Sequence, residues 1–395
     1  MSASTQVAII GAGPYGLSLA AHLRARGIEF RIFGTPLHSW RTQMPKGMFL
    51  KSEGFASNLY DPDGAFTLER FCATKNLGYA DYNHPVPLDT FCAYGLAFQE
   101  RFVPALEDEA VIGLERDDDG FRLGLDNGET LTAQKVAVAV GAGHFRFVPE
   151  ALKALPAEYL SHSADHHDLS GFKGRDVIVV GGGASAIDLV AALDEAGANA
   201  RLVARRAALR WNTPAHRPSW KRWYPMSGLG GGWPNRFYEN APMLFRRLPD
   251  EMRTRIVRSW LGPSGAWPVR ERVERAPLFL GYTLRSARLH NGKACLGVVG
   301  PDGVAQELAA DHVIAATGYR VDLRALKFLD ADLRARVRTI EGAPTLSPDF
   351  ESSAPGLHFA GVAAANTFGP VMRFLLGARY ASRRLTRHFS NGGGD

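Results

Sequence analysis

Cysteine is scarce in this chain. There are three in 395 residues, Cys72, Cys92 and Cys295, and none stands in a C-x-x-C pair. That spacing excludes a redox-active dithiol and a cysteine-built structural zinc site, and three unpaired thiols fit a reducing, cytoplasmic compartment. Long apolar runs are missing too: no stretch reaches the ~18 residues of a membrane span. The first strand is under way by Val7, which leaves no room for a secretory leader. A hydrophobic content of 46% with 22% charged residues is globular, and the length supports two domains with cores of their own.

Glycine, by contrast, is plentiful at 42 residues, and two glycine clusters share one pattern. Val7-Ala8-Ile9-Ile10 runs into Gly11-Ala12-Gly13-Pro14-Tyr15-Gly16, and Val177-Ile178-Val179-Val180 runs into Gly181-Gly182-Gly183-Ala184-Ser185-Ala186. Each is a short apolar strand, a G-x-G-x-x-G/A turn and a helix. Such a turn brings backbone N–H groups and a positive helix end to a pyrophosphate. The helices are expected to stop at Gly27 and Gly197, the latter after Ala184–Ala196. Two turns imply two dinucleotides, with Gly11, Gly13, Pro14 and Gly16 holding one and Gly181, Gly183, Ser185 and Ala186 the other. Ser185 is expected to donate to the pyrophosphate, to cap the helix, or both.

The acid that contacts a ribose about 20 residues after the first turn is absent, because that strand ends at Phe33-Gly34-Thr35. After the second turn, the strand Ala200–Ala204 leads to Arg205-Arg206 instead of an acid. An arginine pair there neutralises a 2′-phosphate, so the second nucleotide reads as NADPH; the alternative is a solvated pair at a strand end.

The order of parts repeats. Strands at Val111–Leu114, Phe121–Leu125 and Thr130–Thr132 precede Val136–Val140 and Gly141-Ala142-Gly143. Strands at Thr283–Leu289, Ala294–Val299 and Ala305–Leu308 precede His312–Ala315 and Ala316-Thr317-Gly318. Asn127-Gly128, Asn291-Gly292 and Asp302-Gly303 mark the turns between them. The linker is expected at Asp168–Gly174. Leu357–Val362 reads as a strand, and Gly369-Pro370 is expected to open a helix that runs to His388, with Asn391–Asp395 disordered.

These motifs, in this order, resemble the two-dinucleotide flavoprotein superfamily that includes flavin monooxygenases and disulfide reductases. The resemblance implies an α/β fold of two Rossmann-like, three-layer ββα domains. An NADPH domain (172–309) is inserted into a discontinuous FAD domain (1–168 and 310–395). It implies FAD at the first turn, with Trp40, Lys51, Gly141, Gly361 and Gly369 contributing. It implies NADPH at the second, with Thr317 and Gly318 at the return crossing. The Gly369-Pro370 helix start would offer its positive end to the flavin. The missing C-x-x-C sets aside the disulfide-reductase branch. The Pro36–Ser52 stretch, with Trp40 and Gly47-Met48, is similar to lysine and ornithine N-hydroxylases and the related bacterial urate hydroxylases. His162 matches the end of the F-x-G-x-x-x-H linker of other flavin monooxygenases, but Pro156 and Glu158 replace its Phe and Gly. That counts against Baeyer–Villiger or S-oxygenation chemistry.

The activity so implied is an NADPH- and O2-dependent hydroxylation through a C4a-(hydro)peroxyflavin. The substrate is small and polar or anionic, with a purine such as urate as the specific expectation. Amine or amino-acid N-hydroxylation and flavin reduction without oxygenation are the alternatives. Asn58 sits where related enzymes place a polar residue beside the flavin; a turn asparagine with local backbone bonds is the plainer reading. Trp40 covers the flavin or fills core. No metal is assigned: His162, Asp165, His166 and His167 read as a polar interdomain loop, and His144 as a packed side chain.

The stretch 205–267 is the least family-like. It holds Trp211, Trp220, Trp223, Trp233, Trp260 and Trp267, six of the seven tryptophans, while Arg201–Trp260 holds 13 Lys/Arg against Glu239, Asp250 and Glu251. Without a nucleic-acid module it reads as a lid over the cleft, a homodimer contact, or a plain structural insertion. As a lid, its Arg217, Lys221 and Arg222 would favour a flat anion held between aromatics. The expected partners are the substrate and O2, with no nucleic acid and no membrane.

Overall fold

A computed structural model describes residues 3–212 and 224–391. Two sheets carry the architecture, the first parallel at its centre and the second parallel throughout. In the first, β1 (Ala3–Ile10) lies between β2 (Phe30–Phe33) and β5 (Thr130–Val138), all parallel. Strands β3 (Val111–Asp117) and β4 (Gly120–Leu125) form an antiparallel meander with β5. The two strands expected at Thr130–Thr132 and Val136–Val140 are one strand. Its first half pairs with β4 and its second half, on the same edge, with the strand Leu357–Phe359. Both faces of β1 are covered, so Val7, Ala8 and Ile9 are fully buried; an unbroken apolar run is what such a strand requires.

The second sheet is parallel throughout. Its order is Leu278–Leu280, β8 (Asn199–Ala204), β7 (Asp176–Val180), His312–Ala315 and β6 (Leu160–His162). A three-stranded meander (Thr283–His290, Lys293–Val299, Ala305–Ala310) accompanies it. β6 and His312–Ala315 lie outside the expected boundaries of the inserted part, 172–309, yet both pair in this sheet, His312–Ala315 on the free edge of β7 and β6 beyond it. The crossings between sheets therefore fall nearer Phe145–Phe147 and Gly318–Arg320. These two segments pair with each other: Phe147 N–H donates to Gly318 O (3.0 Å), Arg320 N–H donates to Phe145 O (2.7 Å), and Thr317 Oγ1 donates to Phe147 O.

The last helix departs most from expectation. Pro370–Arg373 is one 3-10 turn, Phe374 is extended, and the α-helix begins at Gly377 and ends at Asn391. The hydroxyl of Tyr15 donates to the carbonyls of Met372 (3.0 Å) and Phe374 (2.9 Å), occupying acceptors a continuous helix would use. A Cβ on Gly377 would lie 2.1 Å from that hydroxyl. The residues beyond Asn391 lie outside the described ones. Among the described residues no helix is long and apolar enough to cross a membrane.

Candidate dinucleotide sites

Each glycine turn sits at the carboxyl end of its sheet, against the residue that ends the neighbouring strand. A Cβ on Gly11 (φ +114°) would stand 2.6 Å from Ala139 O, and one on Gly181 (φ +149°) 2.2 Å from Ala316 O. The neighbouring backbone therefore leaves no room for a side chain at Gly11 or Gly181. A Cβ on Gly16 would meet Gly11 O at 1.8 Å. Gly13 differs: a Cβ there meets nothing within 4 Å. Two glycines are thus required by the protein's own backbone, and the one between them faces open space, the cradle a pyrophosphate needs. Pro14 opens the helix Pro14–Ala25, where a missing N–H costs nothing. At the end of β2, Gly34 (φ +121°) brings the chain to 3.5 Å of Ala12 N, measured from a Cβ it lacks. The residues of this turn fit a dinucleotide.

At the second turn the helix Ala184–Glu195 starts without a side-chain cap, its N-cap being Gly183. Ser185 therefore does not cap it, and its half-buried hydroxyl has no protein partner among the described residues. Ala186 is fully buried, which is why the third position is small. Gly183 is covered: its missing Cβ would lie 3.3 Å from Pro263. Arg206 lies along the same loop, with its Cδ 3.4 Å from a Cβ on Gly182 and its Nη1 donating to Pro263 O (3.4 Å). Burial and the neighbouring Arg210 lower its guanidinium pKa, so an anion there would relieve two crowded cations. Arg205 is exposed.

The remaining expected residues are distributed unevenly. Gly141 (φ +70°) has open space, and Gly361 (φ +72°) abuts the Tyr15 ring at 3.6 Å. Gly369 (φ +98°) lies against Phe245 at 3.1 Å and opens only the four-residue 3-10 turn, so no α-helix dipole points from it. Trp40 packs on Phe91, ring centroids 4.5 Å apart, as part of the core. Asn58 is spent on backbone at both ends: Nδ2 donates to Phe55 O (2.8 Å) and Oδ1 accepts from Leu68 N–H (2.7 Å). It is the turn asparagine of the plainer reading. Lys51 is bonded to Phe49 O and to the carboxylate of Asp188, which is 4% exposed and sits on the helix Ala184–Glu195. It thus bridges to the second turn's helix, a role the sequence did not show.

The polar loop ties elements together. His162 Nε2 lies 3.2 Å from Gly318 O, Asp165 accepts from His162 N–H (2.7 Å) and pairs with Arg146, and His167 Nδ1 lies 2.5 Å from Met44 O. Burial and His312 push the His166 pKa down to about 4, and Ser161 Oγ lies 2.6 Å from its Nε2. His144 packs edge-on against Phe328, with its pKa lowered by burial.

The insertion leans on the first domain. Phe245, fully buried, and Leu229 join the first sheet's core, and a Cβ on Gly228 would lie 2.6 Å from Leu376. Arg373 donates to the carbonyls of Val257, Trp260 (3.3 Å) and Leu261 (2.8 Å), capping the helix Asp250–Ser259. Trp211 and Trp260 pack, whereas Trp233 and Trp267 are 63% and 41% exposed. Trp220, Trp223, Arg217, Lys221 and Arg222 lie outside the described residues.

The two turns, their mirrored packing and the paired crossings define a two-dinucleotide oxidoreductase fold. The profile of the pyridine nucleotide-disulphide oxidoreductase family matches residues 8–221, and the chain belongs to that family. It is 28% identical over 264 residues to an FAD-dependent urate hydroxylase of Xanthomonas campestris pv. campestris, covering 64% of this chain and 47% of that protein. The chain spans about half the length of the curated relatives it matches. Its fold is similar to the reduced ornithine hydroxylase PvdA of Pseudomonas aeruginosa (TM-score 0.78, 16% identity, 98% of this chain and 99% of that one). It is also similar to the bacillithiol disulfide reductase Bdr of Staphylococcus aureus (TM-score 0.67, 17% identity, 99% and 100%). The family is one of flavin- and pyridine-nucleotide-dependent oxidoreductases, and the fold is of the flavin monooxygenase type.

Proposed function

We propose that the chain is an NADPH- and O2-dependent FAD monooxygenase of a reducing, cytoplasmic compartment. Its substrate is small and polar or anionic, with a purine such as urate as the specific candidate. FAD is assigned to the turn at Gly11–Gly16 and NADPH to that at Gly181–Ala186. The observation that carries the reading is the state of the thiols. Cys72 and Cys295 are buried, with thiol pKa values raised by burial, and burial pushes that of Cys92 up to about 11. No thiolate is poised to take electrons from a flavin, which removes a cysteine acceptor and favours O2. The urate hydroxylase relative supports the substrate class.

FAD, when bound, supplies the electron transfer and the reaction with O2. The chain's residues bind and orient. Gly13 N–H and the helix start at Pro14 would hold the pyrophosphate of FAD. Ser185 Oγ would donate to the pyrophosphate of NADPH, with Arg205 and Arg206 at the 2′-phosphate of its adenosine ribose. The fold likeness to an ornithine hydroxylase favours amine N-hydroxylation as the second reading.

The test begins with the purified holoprotein. NADPH should bleach its flavin absorbance anaerobically, and aeration with urate should give a product carrying one atom of labelled O2. Incorporation into ornithine, lysine or a diamine instead would select the second reading. NADPH oxidation with no labelled product from any of them would overturn both. Arg205→Ala and Arg206→Ala should each raise the KM for NADPH about tenfold or more and leave that for NADH unchanged, as expected for lost charge-assisted contacts. Equal effects on the two nucleotides would overturn the NADPH assignment.

A further inference from the structure

Away from both glycine turns, the last strand and the last helix bring three metal-ligating side chains together. Glu351, His358 and His388 place their ligand atoms within 4.8 Å of one another. His358, in the middle of Leu357–Phe359, is fully buried. Its Nδ1 lies 3.0 Å from Gly356 O, so Nδ1 carries the proton and Nε2 keeps the lone pair. That Nε2 is buried with no hydrogen-bond partner. An unpaired buried acceptor is costly, and a ligand for it resolves the cost. Burial and the neighbouring His388 hold the His358 pKa down to about 3, so the ring stays neutral and able to ligate.

The other two residues come from separate elements. Glu351 is bridged to His358 across a short antiparallel contact, and its Oε1 accepts from Gly356 N–H (2.7 Å). The second carboxylate oxygen has no protein partner among the described residues. His388, half-buried near the end of the helix Gly377–Asn391, has its ring centroid 5.2 Å from that of His358. Its Nδ1 lies 4.0 Å from Asp349 Oδ2, an outer carboxylate that Arg384 also holds (2.8 Å). Lys135 on β5 faces the cluster as well, but its ammonium is 5.6 Å above the ring of Phe389. Glu351 and Asp349 thus stand against Lys135 and Arg384, and the two imidazoles lie between them.

We infer that Glu351, His358 and His388 form a binding site for one divalent transition-metal ion of the Zn2+ class, which ties the last helix to the strand leading to Gly361. Two imidazoles and one carboxylate are a donor set for zinc rather than for Mg2+ or Ca2+, which take oxygen ligands. A tetrahedral ion with bonds of about 2.0–2.2 Å sets its ligands about 3.5 Å apart, so the three groups close by about an ångström on binding. Three protein ligands leave a fourth position for water.

The experiment uses the FAD-loaded full chain, stripped with chelator and titrated with Zn2+, and with Co2+ as a spectroscopic stand-in. The expected result is one tight equivalent per chain, a Co2+ visible spectrum typical of a low-coordinate nitrogen–oxygen site, and no competition from millimolar Mg2+. Zn2+ should also raise the unfolding midpoint. His388→Ala and Glu351→Gln alter half-exposed positions and should fold, yet each should weaken binding at least tenfold and abolish the Zn2+-dependent rise. Unchanged Zn2+ affinity in both variants would overturn the site, because the ion would then be held by other histidines. So would the absence of any tight equivalent in the wild type.

Discussion

Gly11, Gly13 and Gly16 stand within six residues, yet a methyl group would not have the same fate at all three. At Gly16 it would overlap a carbonyl 1.8 Å away; at Gly13 it would meet nothing in the protein. Gly16→Ala is therefore expected to lose both fold stability, by about 1–3 kcal/mol or more from overpacking, and FAD. Gly13→Ala should keep the unfolding midpoint of the apoprotein while releasing FAD on dilution, which flavin fluorescence of the filtrate would report. Lys51 invites a second test. Removing one partner of a buried ion pair costs about 3–5 kcal/mol, so Lys51→Met should lower stability in urea by about 3 kcal/mol at pH 8. Burial raises the Asp188 pKa. The protonated form is then the one folding favours, so the loss should shrink as pH falls through that raised value and grow as pH rises. A deficit that stays flat with pH would show that Asp188 does not carry it. Lys51→Met with Asp188→Leu should restore part of the loss. The glycines were legible in the sequence because a turn is a local demand. The Lys51–Asp188 pair was not, because it joins residues 137 apart in the chain.

At the scale of elements, the strands of both sheets were readable wherever both faces are buried, since that burial writes itself as an apolar run. Val7–Ile10, Val177–Val180 and His312–Ala315 are the clear cases. The elements misread are those set by distant partners. β5 is continuous because β4 and then Leu357–Phe359 pair along it in succession. The last helix begins at Gly377 instead of Pro370 because a hydroxyl from the first turn, more than 350 residues upstream, holds Met372 and Phe374. The Glu351–His358–His388 cluster was hidden for the same reason: a strand and a helix bring it together, and no spacing announces it. The capping of the helix Asp250–Ser259 by Arg373 gives a prediction at this scale. A charged group donating to several last-turn carbonyls contributes about 1.5–3 kcal/mol. Arg373→Ala should accordingly speed hydrogen exchange at 256–262 by about tenfold or more while leaving β1 and β5 protected. Equal acceleration throughout would indicate global destabilisation instead.

For the whole molecule, the two glycine turns are built alike but differ in what lies beside the middle glycine. Gly13 faces open space, whereas Gly183 has Pro263 resting on it. That proline follows Leu261, whose carbonyl is held by Arg373 from the segment beside the first turn. The chain of contacts runs from the first turn's side, through one guanidinium, to the loop beside the second turn. If Pro263 must move before a pyrophosphate reaches Gly183, the association rate of the second nucleotide should level off with concentration in stopped-flow mixing instead of rising to the diffusion limit.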